Sequence, residues 1–404
     1  MAEIQPFRGV LYDTQRVKPG DVLTQPYDKI TPEMRERYLK LSPYNLVQIE
    51  LGKELPGDSE TNNKYTRARD LYRQWLNEGV LRRSSRPAFY YLEQTFDSGK
   101  KTRRGLIAAV RLHRWDEGVI MPHEHTLSKP KADRLSLLRA VGSQQGQIFM
   151  LHPDPIPTPK LGEPVIALVD DYGVTNQLYE INDPATIQSI QASILPQKLY
   201  IADGHHRYET SLAFRDEAGT EASKYVMATL VDMNDPGLVV LPTHRTVGNL
   251  TGFDRKAFAG KLAAQFEVTP QSAPTTGPRV IGVYDGAGFF TLRPKNPDAL
   301  KPLFASKPPL WHTLDVAILH VAILEALLGI DEVRLRDEAN VVYWREADKA
   351  VAEVKTGKAQ LAFFLAPTPV SDVKAIANAR SRMPQKSTDF YPKLLSGMVI
   401  YELR

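Results

Sequence analysis

The 404-residue sequence contains no cysteine. The chain therefore has no disulfide bond, no thiolate zinc site and no thiol nucleophile. A chain without cysteine fits a reducing compartment, and no signal-peptide pattern follows the N-terminal methionine. We therefore expect a cytoplasmic protein.

Long apolar runs and a strong excess of one charge are also missing. The longest apolar stretch, Leu314 to Ile330, is interrupted by Asp315, His320 and Glu325, so we expect no membrane span. Lysine and arginine number 51 against 47 acidic residues, a net charge of +4. Because nucleic-acid-binding proteins usually concentrate basic residues in a stripe, we expect a small-molecule partner rather than a membrane or nucleic acid. The sequence contains no pattern that indicates the oligomeric state.

Hairpin and helix patterns alternate along the chain without a regular βαβ repeat. This mixture indicates the α+β class, with mixed sheets and helices. The alternation of residues 47–51 predicts a strand, and the apolar pattern of residues 311–329 predicts one buried helix. The proline-rich stretch Pro155–Pro159 predicts a boundary between an N-terminal α+β part (residues 1–155) and a C-terminal α+β part (residues 156–404). The alternative is one interwoven domain.

The densest polar constellation is Asp203-Gly204-His205-His206-Arg207. It follows a predicted strand ending at residue 201 and opens a helix that we expect to end at residue 219. A helix start carries partial positive charge and unpaired N–H donors, so it binds anions readily. Gly204 lets a phosphate approach the backbone, and Arg207 could hold a phosphoryl group through two donors.

Several roles remain open for these residues. Asp203 could cap the helix, ligate Mg²⁺ or act as a base. His205 and His206 are candidate catalytic groups, as nucleophile or acid, although His206 could instead pack in the core. Arg207 could instead pair with an acid on its own helix, at position 209 or 216. Zinc is disfavoured, because adjacent histidines diverge on a helix and no histidine follows at i+3 or i+4.

Three other polar clusters are candidate parts of a site. The first is Glu124 with Thr126, in which Glu124 could serve as general base. The second is His244 with Arg245, which follows a predicted strand. The third is a loose anion site formed by Lys386, Ser387, Thr388 and Lys393. A Walker P-loop is excluded there because no glycine-rich stretch precedes it.

The stretch Ala202-Asp-Gly-His-His-Arg-Tyr-Glu-Thr210 resembles the signature of the DUF1015 family of unknown function. The resemblance extends through several distant stretches. These are Gln25–Ile30, Ser42–Asn45, His123–Thr126 with Asp133–Leu135, Leu241–Arg245, Leu314–Val316 and Met383–Lys393. Such coverage identifies a family but implies little about activity.

The run from Asp203 to Arg207 also resembles the phosphate-binding loop of the ParB/sulfiredoxin superfamily, most closely that of free-serine kinases. The resemblance implies a ParB/sulfiredoxin-like substructure. It also implies a nucleotide, ATP or ADP, as phosphoryl donor to L-serine, with an acidic residue as base. From the residues themselves, Asp203 or Glu124 could bind Mg²⁺. The DUF1015 resemblance further implies a link to serine metabolism.

Together these observations predict an enzyme that handles a phosphoryl group on a small molecule, either a serine kinase or a phosphoserine phosphatase. Gly204, Arg207, His244, Arg245 and the 386–388 cluster would bind substrate, and Asp203, His205, His206 and Glu124 would be catalytic. The alternative is a non-enzymatic, ParB-like nucleotide-sensing or DNA-associated protein. We further predict that the separate clusters fold into one cleft around residues 203–207.

Overall fold

The computed structural model describes residues 1–124, 128–336 and 339–403, with the side chains of residues 128–130 and 336 left out. The chain divides into two compact units. The first consists of Met1–Pro122, Thr126–Val239 and Pro392–Arg404, and the second of His123–His125 and Val240–Tyr391. The boundary predicted at 155/156 falls inside the first unit, which also contains the 203–207 loop.

Strands occur throughout both units. They are β1 (Ile4–Gln5), β2 (Val10–Tyr12), β3 (Leu81–Arg83), β4 (Phe89–Phe96), β5 (Lys101–Arg111), β6 (Ile120–Met121), β7 (Ser143–Gln144), β8 (Ile148–His152), β9 (Ile166–Val169), β10 (Thr175–Ile181), β11 (Leu199–Asp203), β12 (Tyr225–Asp232), β13 (Val239–Leu241), β14 (His244–Val247), β15 (Phe266–Gln271), β16 (Ile281–Tyr284), β17 (Phe289–Pro294), β18 (Val341–Trp344), β19 (Leu361–Phe364), β20 (Asp389–Tyr391) and β21 (Tyr401–Glu402).

Helices alternate with these strands. They are α1 (Pro19–Val22), α2 (Pro32–Leu41), α3 (Val47–Glu50), α4 (Lys64–Asn77), α5 (Ser128–Val141), α6 (Pro184–Ile194), α7 (His205–Ala218), α8 (Arg255–Gln265), α9 (Pro297–Leu300), α10 (Asp315–Ile318), α11 (Glu332–Arg336), α12 (Ala347–Lys355) and α13 (Val370–Asn378). Among the described residues, no helix is both long and apolar enough to cross a membrane.

The first unit is built on a mixed sheet, so the predicted α+β class is confirmed. Within the described residues its strands run in the order β6-β11-β8-β12-β5-β4-β10-β9, with β1 beside β5. The pairs β6–β11 and β8–β12 are parallel, and the other neighbours are antiparallel. β11, which ends at Asp203, therefore lies between two strands of this sheet.

Apolar side chains of this sheet pack against helices α6 and α7. Ile190 and Ile194 of α6 and Tyr208 of α7 are fully buried against sheet residues such as Ile201. Burying a large apolar side chain stabilises the fold by about 1.5–3 kcal/mol. This packing fixes the direction in which α7 leaves β11.

The second unit contains an antiparallel sheet of its own. Its strand order is β15-β17-β16-β19-β14-β18 in the described part of the chain. β14, which carries His244 and Arg245, pairs with β18 on one side and β19 on the other. Arg245 is therefore held in the interior of a sheet.

Two secondary-structure predictions are wrong. Residues 47–50 form the single-turn helix α3, because the Asn45 side chain accepts the Val47 N–H at 3.0 Å and starts a turn. The predicted helix over residues 311–329 is interrupted. A 3₁₀ turn (Trp311–Thr313) precedes α10, and a π-helical segment (Leu319–Glu325) follows it.

Candidate active site

The predicted strand-to-helix junction is confirmed at residues 203–205. β11 ends at Asp203, α7 begins at His205, and Gly204 between them has φ 97° and ψ 25°, a left-handed conformation that suits glycine. Among the described residues, no side-chain hydrogen bond caps this helix at its N-cap residue, Gly204. Asp203 is therefore not a helix cap, and the capping interpretation of this residue is wrong.

Asp203 forms an ion pair with Lys393 of the C-terminal segment. The carboxylate Oδ2 lies 2.9 Å from Nζ, and the side chains are 27% and 8% exposed, respectively. Burial raises the pKa of Asp203, but Lys393 and Arg207 outweigh it and hold that pKa well below its usual range. Asp203 is consequently an anion at every physiological pH.

Arg207 folds back under the junction. Its Nη1 donates to the carbonyl oxygen of Gln147. A Cβ added to Gly204 would lie 3.2 Å from Nη2 of Arg207, so glycine is what allows the guanidinium to pack here. One side of the guanidinium that was predicted to bind a phosphoryl group is therefore already hydrogen-bonded to the main chain.

The alternative pairings of Arg207 with an acid on its own helix are wrong. Glu209 accepts from Lys131 at 2.7 Å, and Asp216 accepts from Arg114 at 2.8 Å. Both acids are engaged by other cations, so they do not neutralise Arg207.

His205 and His206 begin α7. His205 is buried and His206 is half-buried. The main-chain carbonyl of His206 accepts a hydrogen bond from the Thr210 hydroxyl at 2.8 Å, which holds the first turn of the helix.

A second buried ion pair, Glu50 with Arg134, joins this region. The two groups are 3.1 Å apart, and the residues are 5% and 9% exposed. Burial raises the pKa of Glu50, although the charges of Arg134 and Arg207 oppose that rise. Sequence reasoning missed both as functional residues, because they come from α3 and α5, far apart in the sequence.

Arg134 is also bound by two neighbours that fix its guanidinium. Asp133 accepts from it at 2.5 Å, and the ring centroid of Tyr27 lies 4.4 Å from its Cζ. Burial raises the pKa of Asp133, but Arg134 leads the interactions that bring it down to about 2. Arg134 is therefore a charged and oriented side chain.

Two cavities open beside these charges. One of about 430 Å³ and one of about 60 Å³ are both lined by Glu50 and Arg134, and Arg207 lines the smaller. Small-molecule sites are concave regions with a few convergent polar groups, and these cavities have that character.

Three of the stretches that carry the family resemblance contribute residues to this region. Tyr27 and Lys29 come from residues 25–30, Arg134 from residues 133–135, and Lys393 ends residues 383–393. The positive charge of Lys29 contributes to the low pKa of Asp203. Lys393 was predicted as a member of the anion site around Lys386, and the structure pairs it with Asp203 instead.

The remaining predicted site residues form a second group within the second unit. Glu124 Oε1 accepts the main-chain N–H of Lys386 at 3.3 Å, and His123 Nε2 lies 3.0 Å from the Thr388 hydroxyl. The side chain of Lys386 is exposed. Thr126, the predicted neighbour of Glu124, lies outside the described residues.

His244, Arg245 and Ser387 also belong to this second group. His244 Nδ1 accepts the Leu365 N–H at 3.4 Å, and burial, followed by the charge of Arg245, lowers the pKa of His244 to about 4. The Ser387 hydroxyl donates to the Pro384 carbonyl at 2.5 Å. Each unit thus gathers its own predicted residues, and one cleft containing both groups stays a prediction.

The described residues contain no group of three or more histidine, aspartate or glutamate side chains arranged to hold a metal ion. The charges of Lys393, Arg207 and Lys29 all act on Asp203. Mg²⁺ can bind through one carboxylate when substrate phosphates supply further ligands. Mg²⁺ held by Asp203 stays a prediction.

Comparison with known proteins identifies a family. The model described as "Protein of unknown function (DUF1015)" matches residues 4–317. No curated protein matches the chain.

Among solved structures, a conserved hypothetical protein from Pyrococcus furiosus is 14% identical, with a TM-score of 0.36, over 73% of this chain and 95% of that one. A free serine kinase variant in complex with ADP is 12% identical, with a TM-score of 0.38, over 75% and 94%. SbnI with a C-terminal truncation, from Staphylococcus aureus, is 12% identical, with a TM-score of 0.37, over 72% and 85%. Likeness at this level assigns no activity to this chain.

Proposed function

Since the chain belongs to the DUF1015 family, whose function is unknown, we propose an activity from the site itself: phosphoryl transfer to or from a small hydroxyl-bearing amino acid, L-serine or phosphoserine. The observation that carries the proposal is the junction at residues 203–207. There an uncapped helix start, a left-handed glycine and the Asp203–Lys393 ion pair lie together in one unit.

The charges around this junction suit a phosphoryl group. Lys29, Arg207 and Lys393 all act on the single carboxylate of Asp203. A phosphoryl group arriving beside them would bring the negative charge that balances this excess. Because catalysis of phosphoryl transfer is mainly positioning and charge stabilisation, such a cation cluster is the main requirement.

The two acids near this junction suit different roles. Asp203 stays ionised, so it fits a ligand for phosphate-bound Mg²⁺ or a group that orients the nucleophile. Glu50 has a raised pKa and lines both cavities, so it fits the general base that accepts the serine hydroxyl proton. This assignment replaces Glu124, which belongs to the second unit, as our favoured base.

The direction of transfer follows from what occupies the cation cluster. With a nucleotide bound there, ATP or ADP would donate a phosphoryl group to serine. With phosphoserine and water, His205 or His206 would protonate the leaving oxygen or accept the phosphoryl group as phosphohistidine. Kinase and phosphatase chemistry therefore share one set of residues.

The test incubates the purified chain with Mg²⁺ and three substrate sets: L-serine with ATP, L-serine with ADP, and phosphoserine alone. Phosphorus NMR reports phosphoserine formed or phosphate released. We expect turnover in at least one set and a loss of at least about a hundredfold in Asp203→Asn and His206→Ala, as for the removal of groups that act only in the transition state.

The matched control is Asp216→Asn, which changes an exposed acid at the far end of α7. It should keep wild-type turnover. Absence of turnover with all three sets, or equal rates in Asp203→Asn and Asp216→Asn, would refute the proposal.

A further inference from the structure

The second unit contains a cavity of about 310 Å³ that the proposed phosphoryl transfer does not use. Its walls carry both signs of charge. Arg245, Ser387 and Thr368 line it, as do Asp315, Asp372 and Arg279. The question is which ligand this combination would bind.

Arg245 is buried without a counter-charge. It is 1% exposed, and its guanidinium donates to the main-chain carbonyls of Thr243 and Lys386, the latter at 2.8 Å. Among the described residues, its Nε has no hydrogen-bond partner, and no carboxylate contributes to the shift of its pKa. Leaving a buried charge unpaired costs several kcal/mol, so an anion in the cavity would stabilise this side chain.

The neighbours of Arg245 do not supply that anion. The phenol ring of Tyr343 lies 5.5 Å from its Cζ. Burial lowers the pKa values of His244 and His320, and the charge of Arg245 lowers them further. Both histidines are therefore neutral at pH 7. Burial lowers the pKa of Arg245 itself to about 10, which still leaves it positively charged at pH 7.

Two acids line the same cavity. Asp315 accepts the main-chain N–H of Arg279 at 3.1 Å, and Asp372 follows the start of α13. The charges of Arg279 and Arg293 act on Asp315, but no ion pair of either acid with a lysine or arginine is found among the described residues, and burial alone raises the pKa of Asp372. Each carboxylate therefore has capacity to accept hydrogen bonds from a cationic group.

We propose that this cavity binds a small zwitterion, with its carboxylate on Arg245 and its ammonium group between Asp315 and Asp372. A simple anion would be repelled by the two acids, and a metal cation would be repelled by Arg245. A molecule carrying both charges satisfies both walls, and the volume suits a ligand of amino-acid size. This proposal concerns the second unit and does not depend on phosphoryl transfer in the first.

The experiment is calorimetric titration of the full chain at pH 7.5 with glycine, β-alanine and 4-aminobutyrate. These probes lack a hydroxyl group and differ in the separation of their two charges. Acetate and ethylammonium, each with a single charge, are the controls. We expect one-to-one binding of at least one zwitterion, with both controls weaker by about tenfold or more, since each loses one charged contact.

Variants then locate the site. Arg245→Met and Asp315→Asn should each weaken the best zwitterion by about tenfold or more, for the same loss of a charged contact. The matched controls Arg255→Met and Asp348→Asn change exposed residues of the second unit and should bind like wild type. Asp372→Asn gives a further variant on the cavity wall should Arg245→Met fail to fold.

Lys393→Met separates this site from the first unit. It should leave zwitterion binding unchanged, whereas loss of binding in Lys393→Met but not in Asp315→Asn would assign the ligand to the first unit. Absence of binding by all three zwitterions, equal binding of acetate, or wild-type affinity in the Asp315 and Asp372 variants would each overturn the proposal.

Discussion

Two buried arginines, one in each unit, have opposite electrostatic surroundings. Arg134 is enclosed by Glu50 and Asp133, whose charges raise its pKa against the effect of burial. Arg245 is enclosed by carbonyl oxygens and an aromatic ring, and burial lowers its pKa to about 10. The charge of Arg134 is satisfied within the protein, whereas that of Arg245 is not.

This difference separates two uses of a buried cation. A paired arginine stabilises the side chains around it, so it can hold a site in shape before a ligand arrives. An unpaired arginine costs stability in the free protein, and a ligand that neutralises it recovers that cost on binding. The first unit contains the former kind and the second unit the latter.

The largest expected difference comes from replacing each arginine by methionine in a separate variant. Arg134→Met leaves Glu50 buried without a partner and should lower the free energy of unfolding by about 3–5 kcal/mol. Arg245→Met removes an uncompensated charge and should change it by less than about 1 kcal/mol or raise it. Urea denaturation followed by circular dichroism measures both, and similar losses in the two variants would contradict the comparison.

The Asp203–Lys393 pair should show a smaller but measurable coupling. A double-mutant cycle with Asp203→Asn and Lys393→Met should give an interaction free energy of about 2 kcal/mol, because this pair is close but Asp203 is partly exposed. A coupling near zero would mean that Lys393 does not hold Asp203. Its exposed counterpart, Lys224 with Glu221, should give less than about 1 kcal/mol.

The next effect in size should appear in the pH dependence of stability, through Asp315 of the second unit. Burial, reinforced by Asp372 and opposed by Arg279 and Arg293, raises the pKa of Asp315 from 3.8 to about 6. A carboxyl with a raised folded-state pKa binds its proton more tightly when folded, so it contributes stability below pH 4 that is lost as pH rises to 6. Removing this group in Asp315→Asn should flatten that decline by about 1–3 kcal/mol. Unchanged pH dependence of urea unfolding would contradict this assignment.

The smallest expected effect is at glycine. Gly204→Ala places a Cβ beside the Arg207 guanidinium at φ 97° and should cost about 1–2 kcal/mol while displacing Arg207. Gly219→Ala, at φ 64° with open space around it, should cost about 1 kcal/mol without touching the site. Phosphate-ligand affinity should therefore fall only in Gly204→Ala. Equal affinity in both variants would show that the junction does not position Arg207.

The junction at 203–207 could be predicted because its signals are local. An apolar run, a glycine and a helix stopped by Gly219 are adjacent in the sequence, and each acts on its own backbone. The class of fold followed in the same way, from hairpins and helices recognised one at a time.

The partners of the junction could not be predicted, because nothing local encodes a distance between far segments. Glu50 lies on a single helical turn whose alternating apolar and polar residues are typical of a strand. The hydrogen bond from Val47 to the Asn45 side chain, which favours the turn, has only a weak signal in the sequence. Arg134 and Lys393 look like ordinary surface charges until the sheet brings their segments together. Arg245 was predicted as a ligand contact, but its lack of a carboxylate partner appears only when β14 is seen between two strands.

The segment that delivers Lys393 also sets an order of events during translation. Its main chain bonds to early parts of the first unit, with Ser396 donating to Thr24 and Ile400 donating to Val10, at 2.9 Å in each case. A ribosome must therefore synthesise the whole second unit before the ion pair at Asp203 can form. Until then a nascent first unit would carry Asp203 without Lys393, so the proposed phosphoryl site would form late, after most of its own sheet has been synthesised.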